Sequence, residues 1–236
     1  MKNSSKHIAL VLFTRSLQEE RGAKDLFVAG SRGSVLYDSL IKSIRNQASF
    51  FKADFFEFNS AKQQGETFSE RLNHTFRHFF KLGYQKVILI GNDCPSLNFR
   101  DFQRAEKCLE EKELVIGPTQ LGGVYLIGLT KSFFYSKFQQ NVIAWNTGNV
   151  YQGFIEDFGN AIGLLQVQKE LNGLKDLDGL ISHLSHFPNL KNILLFFEKK
   201  SLFNIQLRSI YLRFVYVLRG LRAPPTSIGY HFFMGN

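Results

Sequence analysis

Cysteine is scarce in this chain, and its scarcity excludes two classes at once. Cys94 and Cys108 are the only two among 236 residues. Their spacing matches no zinc motif, and they suit a reducing cytosol better than a disulfide framework. The six histidines (His7, His74, His78, His183, His186 and His231) form no metal set. His74 and His78 stand four apart without an H-E-x-x-H surround, and they read as a solvated helix face. His7 and Cys108 make no defensible catalytic dyad. G-x-S-x-G, Walker and G-x-G-x-x-G motifs are all missing, which removes the usual serine hydrolase, P-loop and dinucleotide readings.

Long apolar runs are missing too. No segment approaches the ~20 apolar residues of a membrane span. Ile8–Phe13 is too short for a signal core and suits a first strand, so the expected location is cytoplasmic. Acid is absent after Glu198, where Lys199, Lys200, Arg208, Arg213, Arg219 and Arg222 supply six of the nine net positive charges. Residues 1–198 therefore carry only +3. The high isoelectric point does not by itself indicate nucleic acid, no nucleic-acid-binding motif accompanies it, and no nucleic-acid partner is expected.

What is present is ample apolar material. The chain is 44% hydrophobic with 25 Phe, enough for one substantial core. Composition changes near Asn189, just after Pro188, dividing a 1–188 domain from a basic, aromatic extension over 189–236. Ile8–Thr14, Ala53–Asn59, Lys86–Ile90, Leu114–Gly117, Gly123–Leu129 and Ala161–Gln168 read as strands. Val35, Leu36, Leu40, Ile41 and Ile44 fall on one helical face. The clearest helix is Glu66–Leu82, with Phe68, Leu72, Phe76, Phe79 and Phe80 at helical spacing, a Thr67–Glu70 capping box and Gly83 as its stop. Phe99–Leu109 follows Asn98 as cap, with Asp101 in the first turn. Ser132–Phe138 and Thr147–Phe158 are shorter candidates. Strands alternating with helices predict an open, mainly parallel α/β sheet covered on both sides.

Four stretches could carry chemistry. Lys86–Ile90 runs into Gly91-Asn92-Asp93-Cys94-Pro95, so Asp93 stands at a strand end. There it could hold Mg²⁺ or Mn²⁺ beside a diphosphate, or equally cap a turn. Gly122-Gly123 precedes a strand, either to admit a ligand close to the backbone or as a tight turn. Trp145 could stack on a sugar or base, or belong to the core, and Asn146 or Thr147 could cap the next helix. Asp176 and Asp178 could bind metal, or favour a helix start through the dipole.

Taken in order, these pieces resemble a known family. They run Gln64-Gly65…Glu70-Arg71-Leu72, Leu89-Ile90-Gly91-Asn92-Asp93-Cys94-Pro95, Gly117-Pro118…Gly122-Gly123-Val124-Tyr125, Trp145-Asn146-Thr147 and Asp176-Leu177-Asp178. The family is the bacterial glycosyltransferase-like domain-of-unknown-function group of the selenodomain-associated transferase type. It lies within the nucleotide-diphospho-sugar transferase superfamily, and the resemblance spans roughly residues 8–185. It implies a GT-A (Rossmann-like) three-layer α/β/α fold with a mainly parallel sheet and a helical or irregular C-terminal tail.

The resemblance also implies a divalent-metal-assisted glycosyltransferase using a nucleotide-sugar substrate. Asp93 and Asp178 would hold Mg or Mn, with Asp93 central to catalysis. Arg15 and Lys24 would contact phosphate, and Arg71, matching the Arg of the family's helix, and Asn92 would belong to the substrate-binding set. Gly122, Gly123 and Tyr125 would line the sugar side, and Trp145 and Thr147 would complete the pocket. The chain departs from the pattern where Leu121 replaces an Asp before the Gly pair. The first loop also lacks its Pro and its Lys-Thr-Arg run, although Arg15, Arg21 and Lys24 keep positive charge there. These departures leave room for nucleotidyl transfer on the same fold, or for a non-catalytic member that binds a nucleotide or partner. The 189–236 extension could pack on the core, mediate self-association, or lie on an anionic membrane surface.

Overall fold

The computed structural model describes residues 7–24, 31–141, 143–145, 148–173 and 176. The 189–236 extension, with its expected membrane or self-association role, lies outside the described residues. Six strands, β1 (Ile8–Thr14), β2 (Asp54–Asn59), β3 (Lys86–Ile90), β4 (Leu114–Pro118), β5 (Val124–Thr130) and β6 (Ile162–Leu164), form one sheet in the order β2-β1-β3-β5-β4-β6. β1 is parallel to both β2 and β3, and β4 is parallel to β6. Only β5 runs against its neighbours.

The helices are α1 (Leu17–Ala23), α2 (Ser31–Ala48), α3 (Phe68–Lys81), α4 (Phe99–Glu111), α5 (Lys131–Ser136) and α6 (Val150–Phe158). Side-chain alternation along β1 assigns them to two layers. Ala9 and Val11 join Phe76 and Phe79 of α3, Phe133 and Phe134 of α5 and Phe154 of α6. Ile8, Leu10 and Leu12 join Ile44 and Ala48 of α2 and Phe102 and Leu109 of α4. Both faces of the sheet are thus covered, and for that reason β1 is apolar throughout instead of alternating with polar residues. The result is a three-layer α/β/α arrangement of GT-A architecture. Among the described residues no helix is long and apolar enough to cross a membrane.

α3 shows how sequence becomes packing. Thr67 and Glu70 make the reciprocal capping box, with the Glu70 N–H 3.2 Å from Thr67 Oγ1 and the Thr67 N–H 3.1 Å from Glu70 Oε2. Such a cap contributes about 1 kcal/mol. Leu72, Thr75, Phe76, Phe79 and Phe80 are the helix's buried face. Each Phe there would cost roughly 3–5 kcal/mol if cut to Ala.

Several elements differ from the sequence expectation. Val35 is 52% exposed, so the buried stripe of α2 is Leu36, Leu40 and Ile44 without it. The segment after Arg15, expected as an irregular phosphate loop, contains α1 because Ser16 and Glu19 form a capping box. The expected Ser132–Phe138 helix starts earlier, at Thr130's cap, and breaks into α5 and a 3-10 turn over Phe138–Gln140. α6 begins at Val150 rather than Thr147, and the Tyr151 N–H at its start donates to the Gly122 carbonyl at 2.9 Å. The late strand shrinks to β6, and Gln168 rejoins the β4 side only as an isolated parallel bridge to Thr119. The Gln168 backbone N–H bonds the Pro118 carbonyl at 3.0 Å, its Nε2 donates to buried Asp101 at 3.0 Å, and its Oε1 accepts from Ser96 at 2.6 Å. His74 is half-buried beside Phe58 rather than fully solvated.

Candidate functional site

The chain leaves β1 toward β2 on one side, while β3 lies on the other. Between the carboxyl ends of β1 and β3 the sheet order reverses, and a crevice must open there. Thr14 and Arg15 from the end of β1, and Ile90, Gly91, Asn92 and Asp93 from the end of β3, line a cleft at that point. Because β5 is reversed, its first residues Val124 and Tyr125 reach the same edge. The Gly91 N–H donates to the Tyr125 carbonyl at 3.0 Å, closing the floor.

α1 brings charge to this cleft. Ser16 is its cap, and the Ser16 N–H also bonds Ser60 Oγ at 3.0 Å, tying the helix start to the loop after β2. Glu20 and Lys24 are four apart and so share a helical face. Glu20 is 3% exposed, and the Lys24 side chain is 10% exposed. Lys24 Nζ donates to Asp93 Oδ1 in an ion pair. Asp93 is itself held by its backbone, since its carbonyl accepts from the Leu171 N–H at 2.7 Å. Burial raises the Glu20 carboxyl above its usual range, with the Asp93 charge adding to the effect and Lys24 and Arg15 opposing it.

Four residues that line this cleft each carry a buried side-chain atom without a hydrogen-bond partner: Glu20 Oε2, Arg71 Nε, Asn92 Nδ2 and Trp145 Nε1. Among the described residues the other two such atoms are Asn73 Oδ1 and His74 Nδ1. An orphaned buried polar atom costs about 1–3 kcal/mol, so water, an ion or a ligand that reaches these groups is favoured. An aromatic wall closes one side. Phe13 meets Phe68 edge-on with centroids 5.7 Å apart, and Phe68 lies 4.9 Å from Trp145.

Of the residues singled out from the sequence, Arg15, Arg71, Asn92, Asp93, Tyr125 and Trp145 line the cleft, and Lys24 reaches it through Asp93. Lys24, expected to meet a phosphate, is instead paired with a carboxylate in this state. Tyr125 is buried, and its hydroxyl donates to the Gln166 carbonyl at 3.1 Å. It therefore shapes the wall without offering that proton inward. Gly122 and Gly123 are not among the cleft-lining residues. Gly122 has φ +81°, and a Cβ there would collide with the Gly148 carbonyl. A Cβ on Gly123 would stand 2.9 Å from Glu170 Oε1. Both glycines therefore stand where the chain packs closely on itself. Thr147 and Asp178 lie outside the described residues, as does Asn146.

The sequence reading missed Glu20, Gln63, Phe13 and Phe68. Gln63 Nε2 donates to the Thr14 and Phe58 carbonyls, both at 2.9 Å, and so clamps the ends of β1 and β2 at the cleft. Ser16-Leu17-Gln18-Glu19 is a capping-box signature that announced α1 and, with it, the shared face of Glu20 and Lys24. Gln63 carried no such signal, since its role depends on two strand ends meeting.

A divalent cation has a partial donor set here. Among the described residues no three His, Cys, Asp or Glu side chains gather as a metal cage. Mg²⁺, however, commonly takes one or two carboxylates and completes its shell with water and substrate phosphate. Asp93, and Glu20 with its unpartnered Oε2, fit that mode.

The family model described as "Uncharacterized protein conserved in bacteria (DUF2064)" matches residues 25–147, more than half of the chain. Among solved structures, one described as a "putative nucleotide-diphospho-sugar transferase" from Desulfovibrio desulfuricans G20 is similar with a TM-score of 0.66 and 20% identity, covering 79% of this chain and 93% of that one. At this identity the likeness concerns the fold. A Mycobacterium tuberculosis H37Rv protein matches with a TM-score of 0.45 and 10% identity, over 75% of this chain and 98% of that one. A 4-diphosphocytidyl-2C-methyl-D-erythritol synthase from Anaerococcus prevotii matches with a TM-score of 0.41 and 9% identity, over 77% of this chain and 99% of that one. No curated protein matches the chain significantly.

Proposed function

The chain belongs to the bacterial family described as "Uncharacterized protein conserved in bacteria (DUF2064)", and from that premise we propose that its cleft binds a nucleoside-diphospho compound and that the protein is a transferase working at the diphosphate. The observation that carries this reading is the set of unpartnered atoms. Arg71 Nε, Asn92 Nδ2 and Trp145 Nε1 are all N–H donors without acceptors. They stand at a switch-point crevice with Arg15, and Lys24 lies just behind Asp93. Donors and cations together call for a ligand rich in anionic oxygens. The Phe13, Phe68 and Trp145 wall offers an apolar surface for a base or sugar ring.

In this reading Arg15, Lys24 and Arg71 neutralise phosphate oxygens, and Asp93 with Glu20 holds the Mg or Mn ion. When bound, that ion would lower the charge on the leaving phosphate. The described protein groups position the diphosphate and stabilise the charge that develops on it as the bond to the leaving group breaks.

Two transfers fit such a site. In glycosyl transfer an acceptor hydroxyl attacks the anomeric carbon, the sugar–oxygen bond breaks, a nucleoside diphosphate leaves and the hydroxyl proton passes to solvent. In nucleotidyl transfer a phosphomonoester oxygen attacks the α-phosphorus of a nucleoside triphosphate, and pyrophosphate leaves. The Gly122-Gly123 turn favours the second. It packs against Gly148 and Glu170 and is not among the residues lining the cleft. Leu121, in place of an acid, is 61% exposed and offers no bond to sugar hydroxyls.

The test is a calorimetric and ³¹P NMR screen with Mn²⁺, using UDP- and GDP-sugars in one arm and nucleoside triphosphates with sugar 1-phosphates in the other. Pyrophosphate release identifies nucleotidyl transfer, and nucleoside diphosphate release identifies glycosyl transfer. Absence of any nucleotide binding overturns the proposal.

A further inference from the structure

We infer that Lys24 is a resident counter-cation that keeps the Glu20–Asp93 carboxylate pair closed to divalent metal until a diphosphate draws its ammonium away. The inference rests on the diphosphate reading above and adds an order to it. Three observations carry it. The Lys24 ammonium already occupies Asp93 Oδ1, and its side chain is only 10% exposed, so it is held at the carboxylate and not waving in solvent. Glu20 is 3% exposed, lines the same cleft and keeps Oε2 without a hydrogen-bond partner. Glu20 and Lys24 sit one helical turn apart at the end of α1, where the Lys24 backbone N–H bonds the Glu20 carbonyl at 2.9 Å. That bond fixes how the side chains leave the helix.

A metal ion and the ammonium compete for one carboxylate. A hard divalent cation needs the negative charge of Asp93, which the Lys24 ammonium on Oδ1 already offsets, and the tethered ammonium competes at high effective concentration. Lysine is a point charge on a flexible four-carbon stem, so it can turn from carboxylate to phosphate without moving the backbone. Once it turns, Glu20 and Asp93 lose the positive charge nearest them while still repelling each other, and a doubly charged cation balances them. Diphosphate and metal then assist each other's binding by the same factor, as linkage requires.

The experiment follows free Mn²⁺ by electron paramagnetic resonance while the full-length protein is titrated. Without nucleotide, Lys24→Met is expected to bind Mn²⁺ at least about tenfold more tightly than wild type, within the usual range of coupling. Lys24→Arg, which keeps the cation, should match wild type, and Lys24→Met/Asp93→Asn should lose the gain. Circular dichroism checks that each variant is folded. A folded Lys24→Met that binds Mn²⁺ no better than wild type overturns the inference, as does a gain that survives Asp93→Asn. Independently of any variant, UDP or GDP should tighten Mn²⁺ binding to wild type beyond what the Mn²⁺–nucleotide complex accounts for. Tight Mn²⁺ binding by nucleotide-free wild type overturns the inference as well. If wild type binds neither UDP nor GDP while Lys24→Met gains the Mn²⁺ site, the diphosphate reading falls and the occlusion stands.

Discussion

Lys24 donates through Nζ to Asp93 Oδ1 across 69 residues of sequence, joining the end of α1 to the end of β3. The pair is asymmetric: the lysine side chain is 10% exposed and the aspartate 41%. Removing the acid leaves a shielded ammonium with less compensation. Asp93→Asn should therefore destabilise the fold by about 1–2 kcal/mol, less than the ~3–5 kcal/mol of a fully buried pair because water reaches the carboxylate. Urea unfolding midpoints measure this, and an unchanged midpoint would show the pair to be energetically idle.

Arg71 separates binding from stability. Its Nε has no partner, while its backbone N–H and carbonyl are used within α3. Arg71→Met keeps the stem and removes a buried donor without a partner, so the melting temperature should not fall. It should weaken nucleotide binding by about 1.5–3 kcal/mol, the worth of a charged hydrogen bond. Calorimetry with a nucleoside diphosphate reads the effect, and equal affinity for both proteins would remove Arg71 from the site.

Glu20 gives a pH signature. Burial raises its folded-state pKa above the ordinary 4.5. Below the unfolded value the side chain is protonated in both states and costs nothing. As pH rises, the unfolded chain ionises first, so stability falls until the folded pKa has been passed. Glu20→Gln removes that dependence. The variant should be more stable than wild type by about 1 kcal/mol at pH 7.5, with the difference shrinking toward pH 4.5. Thermal melts at the two pH values test it, and a pH-independent difference would refute it.

Gly122→Ala should lower stability by at least about 1–3 kcal/mol, since φ is +81° and the new methyl meets the Gly148 carbonyl. Nucleotide affinity per folded molecule should be retained, because the turn does not line the cleft. A variant that folds normally but loses binding would return the Gly pair to the ligand.

The two thiols should differ. Cys94 is buried, and burial, with the Asp93 charge behind it, raises its pKa well above the usual value. Cys108 is half-buried and its pKa is raised less strongly in kind, chiefly by burial. In a colorimetric thiol titration of native protein at pH 8, Cys108 should label first and Cys94 only on unfolding. Rapid labelling of both would contradict the packing of the β3 end.

The sheet was legible because burial on both faces writes itself into a strand as a continuous apolar run. Ile8–Leu12 and Val87–Ile90 are such runs, and both proved buried. α3 was legible through its capping box and spacing. The site was legible only in part. Asp93, Asn92 and Arg71 stand at element ends that periodicity locates, and the cleft gathers them. Gln63 escaped notice because nothing local distinguishes it, and its role arises only where the ends of β1 and β2 meet. Glu20 had a local signal in the capping box of α1, but its burial at the cleft comes from the meeting of α1 with the ends of β1 and β3. The Gly pair was legible as a close approach but not as to what approaches, and at Gly122 the neighbour is the chain's own backbone at Gly148.

Trp145 is the single tryptophan of the chain, and it sits in the cleft wall against Phe68 with its indole N–H unpartnered. The protein therefore carries its own optical probe. Excited selectively over the eight tyrosines, its emission reports on one place alone. Any molecule that settles between the β1 and β3 ends changes the polarity around that ring, so occupancy of the cleft can be followed by intrinsic fluorescence on unlabelled protein.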